Sequence, residues 1–130
     1  SLIRITRRLP DTWLRAAMSS PARRVIVGTI FRRMPELLSP AGRKARAVVR
    51  FDVTVGRAVD TWYLELDVGG CTVSRACVRR PRSTVVLSAY DLVRLAAGAD
   101  PVLLFREGRL RLSGDTYFGA SIGTLFDLAR

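Results

Sequence analysis

The sequence predicts an α+β domain in which five strands share one sheet and helices cover it. Three observations carry this. Apolar and polar residues alternate in three successive segments between positions 47 and 78, and again over 109–113, which is the two-residue period of a half-buried strand. A short apolar run, Val85-Val86-Leu87, supplies the remaining strand. Helix-start signals stand at Ser20-Pro21, Ser88, Asp100-Pro101 and Asp115. There a side-chain oxygen can accept from an unpaired N–H, and proline fits the first turn.

Taken in order, residues 1–20 read as an N-terminal extension with a short helix. Pro10-Asp11 starts it, and it carries Trp13, Leu14, Ala17 and Met18. Residues 21–130 read as the domain proper. Ser20-Pro21 opens a helix whose Val27, Phe31, Met34 and Leu38 share one face. Pro35 ends or kinks it, because proline lacks a donor and clashes with the preceding turn. Pro40 and Gly42 are expected to finish the segment. The first strand turns Val49, Phe51, Val53 and Val55 inward and Arg50, Asp52 and Thr54 outward. Residues 56–60 make the turn. The second strand turns Trp62, Leu64, Leu66 and Val68 inward, and Gly69-Gly70 suits a two-residue hairpin turn. Residues 71–78 read as the third strand, with Arg75 interrupting the face of Cys71, Val73 and Cys77. After the connection at 79–82, the run Val85 to Leu87 suits a central strand covered on both faces.

Ser88 then caps a helix, with Asp91 three residues on, as in a capping box. That helix buries Leu92, Val93, Leu95 and Ala96 and stops at Gly98. Asp100-Pro101 opens a short helix that ends at Gly108. Leu110 and Leu112 face one way on the fifth strand, against Arg109, Arg111 and Ser113. Asp115 caps one continuous last helix carrying Phe118, Ile122, Leu125, Phe126 and Ala129 at helical spacing. Asp91, Asp100 and Asp115 thus all read as caps.

Composition narrows the class. With 130 residues, 48% hydrophobic and 25% charged, the chain can build one core. Its longest apolar runs reach about four residues, too short to span a bilayer. No signal-peptide pattern opens it, so the expected location is cytoplasmic, peripheral to the inner membrane face. Cys71 and Cys77, read on one strand, would stand about 20 Å apart. A disulfide needs under about 7 Å, so both are expected to be free thiols. Two cysteines without a histidine argue against a zinc site, and no cofactor or metal is expected.

The net charge of +11 is uneven. Residues 1–50 hold 12 basic and 2 acidic residues, and residues 51–130 hold 10 and 9. A solvated arginine-rich surface accounts for this simply. The functional alternative is weak contact with an anionic membrane through Arg4, Arg7, Arg8, Arg23, Arg24, Arg32 and Arg33. Nucleic acid is disfavoured, because no aromatic platform interleaves the arginines.

The run from Phe105 to Asp115, F-x-x-G-R-L-R-L-x-G-D, followed by an apolar helix, resembles the C-terminal signature of the sterol carrier protein 2 family. I-F-R-R-M-P-E-L-L resembles the helix before that family's first strand. The resemblance covers about residues 25–130. It implies a mixed, mainly antiparallel five-stranded sheet with an apolar tunnel beneath the closing helices. By position it implies a lining of Leu104, Phe105, Phe118, Ile122, Leu125 and Phe126, with Phe51 and Leu64 from the sheet. Read as residues alone, the same set is ordinary core. D-P-x-x-L-F and G-D-T also resemble bacterial sterol-carrier-like accessory proteins of quinone biosynthesis.

Gly119-Ala-Ser121-Ile-Gly123 fits the G-x-S-x-G pattern of a hydrolase nucleophile elbow. A serine nucleophile of that kind needs a histidine base, and the chain has no histidine. The small residues read instead as close packing or room for a ligand. The expected function is therefore non-catalytic binding and transfer of a hydrophobic molecule: a fatty acyl chain, sterol, phospholipid or isoprenoid quinone. The other class kept open is a scaffold or dimerisation module, accessory to lipid- or quinone-metabolising enzymes. Monomer and homodimer are both compatible with the sequence.

Overall fold

The structure, a computed structural model, describes residues 22–127. Helix α1 (Ala22–Arg33) runs into a 3-10 turn at Met34–Leu37, placing the kink where Pro35 removes a donor. A short helix α2 (Pro40–Lys44) follows, and then strands β1 (Ala47–Val55), β2 (Ala58–Asp67), β3 (Gly70–Ser74) and β4 (Ser83–Ser88). Helices α3 (Ala89–Ala96) and α4 (Pro101–Arg106), strand β5 (Leu110–Gly114), and helices α5 (Thr116–Ala120) and α6 (Ile122–Leu125) complete the order. The expected extension helix, Ser20-Pro21, Arg4, Arg7, Arg8 and Ala129 lie outside the described residues.

The strands form one sheet in the order β3-β2-β1-β4-β5. Only the β1–β4 pair is parallel. The parallel pair follows from the connection after β3, which carries the chain back past β2 and β1. Arg82 N donates to Val48 O at 2.8 Å on arrival. One sheet face and the helices enclose the core. Alternation places Val49, Phe51, Val53 and Val55 of β1 and Trp62, Leu64 and Leu66 of β2 inside.

Several local readings are corrected. Pro40 does not finish the N-terminal segment. Ser39 Oγ accepts from Gly42 N at 3.1 Å and caps α2, the same Ser-Pro signal as at positions 20 and 21. The turn into β3 is Val68-Gly69, one residue earlier than read, with Asp67 paired to Gly70. Val68 is therefore 81% exposed rather than inward. β3 stops at Ser74, so Cys71 and Cys77 do not share a strand. Both are free. Burial pushes the Cys71 thiol up to about 11, and Cys77 Sγ donates to Glu65 Oε1 at 3.0 Å. Arg75, at the break, lies over the Trp62 ring at 4.3 Å and bonds Asp60 at 2.9 Å. β4 is interior to the sheet but covered on one face: Ser83, Val85 and Leu87 are buried, while Thr84, Val86 and Ser88 are half-buried.

Asp100 and Asp115 are caps, accepting from Val102 N at 2.9 Å and Phe118 N at 3.0 Å. Asp91 does more. It is 4% exposed and accepts from Ser88 Oγ at 3.0 Å and Arg109 Nε at 2.9 Å, tying α3 to the start of β5. The last helix is not continuous. It breaks at Ser121, and Phe126 is extended, pairing with Leu38 in an antiparallel bridge.

Candidate apolar binding site

The closing segment sets the geometry of the site. Asp115 accepts from Phe118 N and from Arg82 Nε, which together hold its carboxyl below the usual range. Arg82 also lies 4.3 Å over the Phe118 ring, so the start of α5 is fixed to the β4 side. Gly119 lets α5 sit close on the sheet: a Cβ there would come 3.0 Å from Leu112 Cδ2. Beyond the break, Ser39 N donates to Leu125 O at 2.9 Å. Ser39 Oγ donates to Thr124 O at 2.7 Å, and Asp127 N to Leu37 O at 2.6 Å. The segment after β5 is thus held at both ends.

Beneath it lies an apolar cavity of about 30 Å³. Ile30, Phe31 and Met34 form its α1 side, Leu92, Leu95 and Ala96 its α3 side, and Phe51 its floor. Ile122, Gly123 and Phe126 close it. No charged side chain lines it. A groove of about 450 Å³ shares Leu95, Gly123 and Phe126 with the cavity and continues past Pro101 and Val102. The cavity and the groove thus lie on either side of Leu95, Gly123 and Phe126.

Of the eight proposed lining residues, Phe51, Ile122 and Phe126 meet at this cavity. Leu64, Leu104 and Leu125 are buried in the surrounding core. Phe118 is partly buried under Arg82. Phe105 does not point inward. It is 46% exposed, because the six-residue α4 buries a single side chain, Leu104. The sequence reading missed Ile30, Met34, Leu92 and Leu95 as lining. Their helical periodicity showed an inward face but not which inward residues border a void. Of the seven arginines expected at a membrane surface, four are described, and they are dispersed: Arg24 and Arg32 are exposed, Arg23 leans over Gly56, and Arg33 pairs with Glu36 at 3.4 Å.

The model of the SCP-2 sterol transfer family matches residues 28–127. The chain belongs to the SCP-2 family. Its fold is that of solved SCP-2 structures. Sterol carrier protein 2-like 2 from Aedes aegypti has 23% identity and a TM-score of 0.63 over 79% of this chain and 98% of that one. A structure described as UbiJ-SCP2, a ubiquinone synthesis protein, has 23% identity and a TM-score of 0.65 over 85% and 100%. Sterol carrier protein 2 of Aedes aegypti in complex with palmitate has 15% identity and a TM-score of 0.54 over 75% and 93%. No curated protein sequence matches the chain.

Within this SCP-2 chain, the G-x-S-x-G run forms the α5–α6 junction. Ser121 Oγ donates to Phe118 O at 2.7 Å, the local bond that serine makes when it competes with helix hydrogen bonding. Gly123 approaches Pro101 of α4, where a Cβ would come 3.4 Å from the ring. These contacts account for the small residues as packing. Ser121→Ala is expected to leave hydrolysis of a short-chain nitrophenyl ester at the buffer background, equal to the wild type. Turnover that Ser121→Ala abolished would refute the packing role. Among the described residues, no helix is long and apolar enough to cross a membrane.

Proposed function

We propose that this SCP-2 chain binds the apolar tail of a single lipid between β1, α1, α3 and α6, without chemistry of its own, and passes it on. The supporting observation is the uncharged cavity, which shares the wall of Leu95, Gly123 and Phe126 with an open groove. The names of its structural neighbours fit the reading, since palmitate and ubiquinone both carry long apolar tails. Burying about ten methylenes at ~0.8 kcal/mol each gives ~8 kcal/mol gross. Association and ordering costs bring this to roughly micromolar binding.

The cavity of about 30 Å³ has far less room than a chain of about ten methylenes needs. An acyl chain therefore enters only as α6 and Phe126 move away from α1 and α3. The break at Ser121 makes α6 a separate short unit, and its movement has to release the bonds of Thr124, Leu125 and Asp127 to Ser39 and Leu37. A fluorescent fatty acid should bind saturably, and an unlabelled one should displace it. Ile122→Trp fills the narrow space and should weaken that binding by about tenfold or more, with an unchanged far-UV spectrum. Equal affinity in the two proteins would remove the cavity from the binding path.

The accessory reading rests on the ubiquinone synthesis neighbour. Organic extraction of protein purified without detergent separates the two. A stoichiometric lipid supports the carrier, and recovery of none across expression hosts supports a scaffold.

A further inference from the structure

The groove of about 450 Å³ beside the cavity has a one-sided chemistry. Gly98, Ala99, Asp100, Thr124 and Asp127 supply most of its polar groups. Most of their donors are already engaged. The backbone N–H groups of Gly98, Ala99, Thr124 and Asp127 donate to the carbonyls of Leu95, Arg94, Ser121 and Leu37. Val102 N donates to Asp100 Oδ1, and the Thr124 hydroxyl donates to Ser121 O. The acceptors are open. The second Asp100 oxygen and the Asp127 carboxylate receive no donor from the described residues. Both aspartates are exposed, and among the described residues no basic side chain lines the groove.

We propose that this groove takes the head of the lipid whose tail enters the cavity. Asp100 and Asp127 there select a head that donates hydrogen bonds and carries no negative charge: a hydroxyl or an amine. The inference rests on the carrier reading. The apolar cavity offers no partner to a polar head, and burying a polar group without one is strongly disfavoured. The head therefore stays outside the wall when the tail goes in. Phe126 borders both spaces, so the movement that admits the tail opens the wall on the groove side. A hydroxyl or ammonium there meets two carboxylates that accept. An ionised carboxylate only accepts. It meets engaged donors and two like charges, so it binds through its tail alone, at reduced affinity. This local preference opposes the net charge of +11, which by itself favours an anionic ligand. A sterol hydroxyl fits such a head, and an ionised fatty acid or a phospholipid phosphate fits it least.

The test uses one tail with three heads: decanol, decanoate and decylammonium. Each displaces a neutral apolar dye, N-phenyl-naphthylamine, from the full chain. The assay is run at about pH 8, between the ordinary carboxyl and amine ranges. Decylammonium should bind the wild type more tightly than decanoate does, despite the positive net charge. Asp100→Asn with Asp127→Asn keeps the shape of both side chains, and Asn caps a helix as well as Asp does, so the melting temperature should hold. In that variant decanoate should tighten by about three- to tenfold and decylammonium should weaken by as much, with decanol unchanged. Asp67→Asn, a charge removed at the β2–β3 turn, should leave all three unchanged. Tighter binding of decanoate than of decylammonium by the wild type overturns the proposal. So do unchanged affinities in the double variant, or an Asp67→Asn shift as large as that of the groove variant. In each of those cases the tails still bind, and the carrier reading stands. Displacement by none of the three removes the carrier reading itself, and this inference with it.

Discussion

Gly42→Ala is expected to lower the melting temperature by roughly 10 °C or more. Gly42 is buried in α2, and a Cβ there would stand 2.2 Å from Leu125 O and 2.6 Å from Leu38 Cδ1. Both neighbours belong to the closure of the site. Leu125 O is backbone and accepts from Ser39 N, so it cannot swing aside as a side chain would. Relief requires α2 and α6 to separate, which also strains the Leu38–Phe126 bridge. Overpacking of this kind costs about 1–3 kcal/mol, and a buried donor left unpaired adds about 1–3 kcal/mol. The same separation should loosen the wall of the cavity, so lipid exchange should quicken. A melting temperature within about 3 °C of the wild type would mean that α2 and α6 do not pack as described.

Phe31→Ala should be the most damaging single truncation, at about 3–5 kcal/mol. Phe31 has no exposed surface. It stacks on Trp62 at 5.0 Å, meets the edge of Phe51 at 5.2 Å, and borders the cavity. Its removal joins the volume of the ring to an existing apolar void, which stays dry and accepts small apolar molecules. Benzene should therefore raise the melting temperature of Phe31→Ala more than that of the wild type. Equal shifts would show that the core collapses into the space.

The sheet was readable because its strands obey one rule at a time. Over Val49 to Val55 each inward residue is apolar and each outward one polar, so period and burial agree. Caps at Ser88, Asp100 and Asp115 were readable for a similar reason, since each bond joins residues two or three apart. The failures arise where a short element meets a tertiary constraint. Phe105 continues an apolar run, but α4 has room for one inward residue, and Leu104 takes it. The periodicity of Phe118, Ile122 and Leu125 suits one helix. The chain nevertheless breaks at Ser121 and extends at Phe126, because Leu37 and Ser39 offer backbone partners to Asp127 and Leu125. No local pattern announces partners that far away. The candidate site shared this limit. That Phe51, Ile122 and Phe126 were apolar was plain, but the void they border depends on α1 and α3 arriving from elsewhere.

Ser39 and Thr124 are 85 residues apart, and their bond belongs to the fastening of Leu37 to Ser39 against Leu125 to Asp127. Closing a flexible loop of that length carries an entropic cost of about 4 kcal/mol, so this contact should form after the sheet has already shortened the loop. On a ribosome adding about 5–20 residues per second, it must wait roughly 4–17 s after Ser39 is made. Ile30 and Met34 of α1 lack the cover of Ile122 and Phe126 across the cavity during that interval. The nascent chain is therefore most open to chaperones, and to premature lipid capture, just before its closing segment emerges.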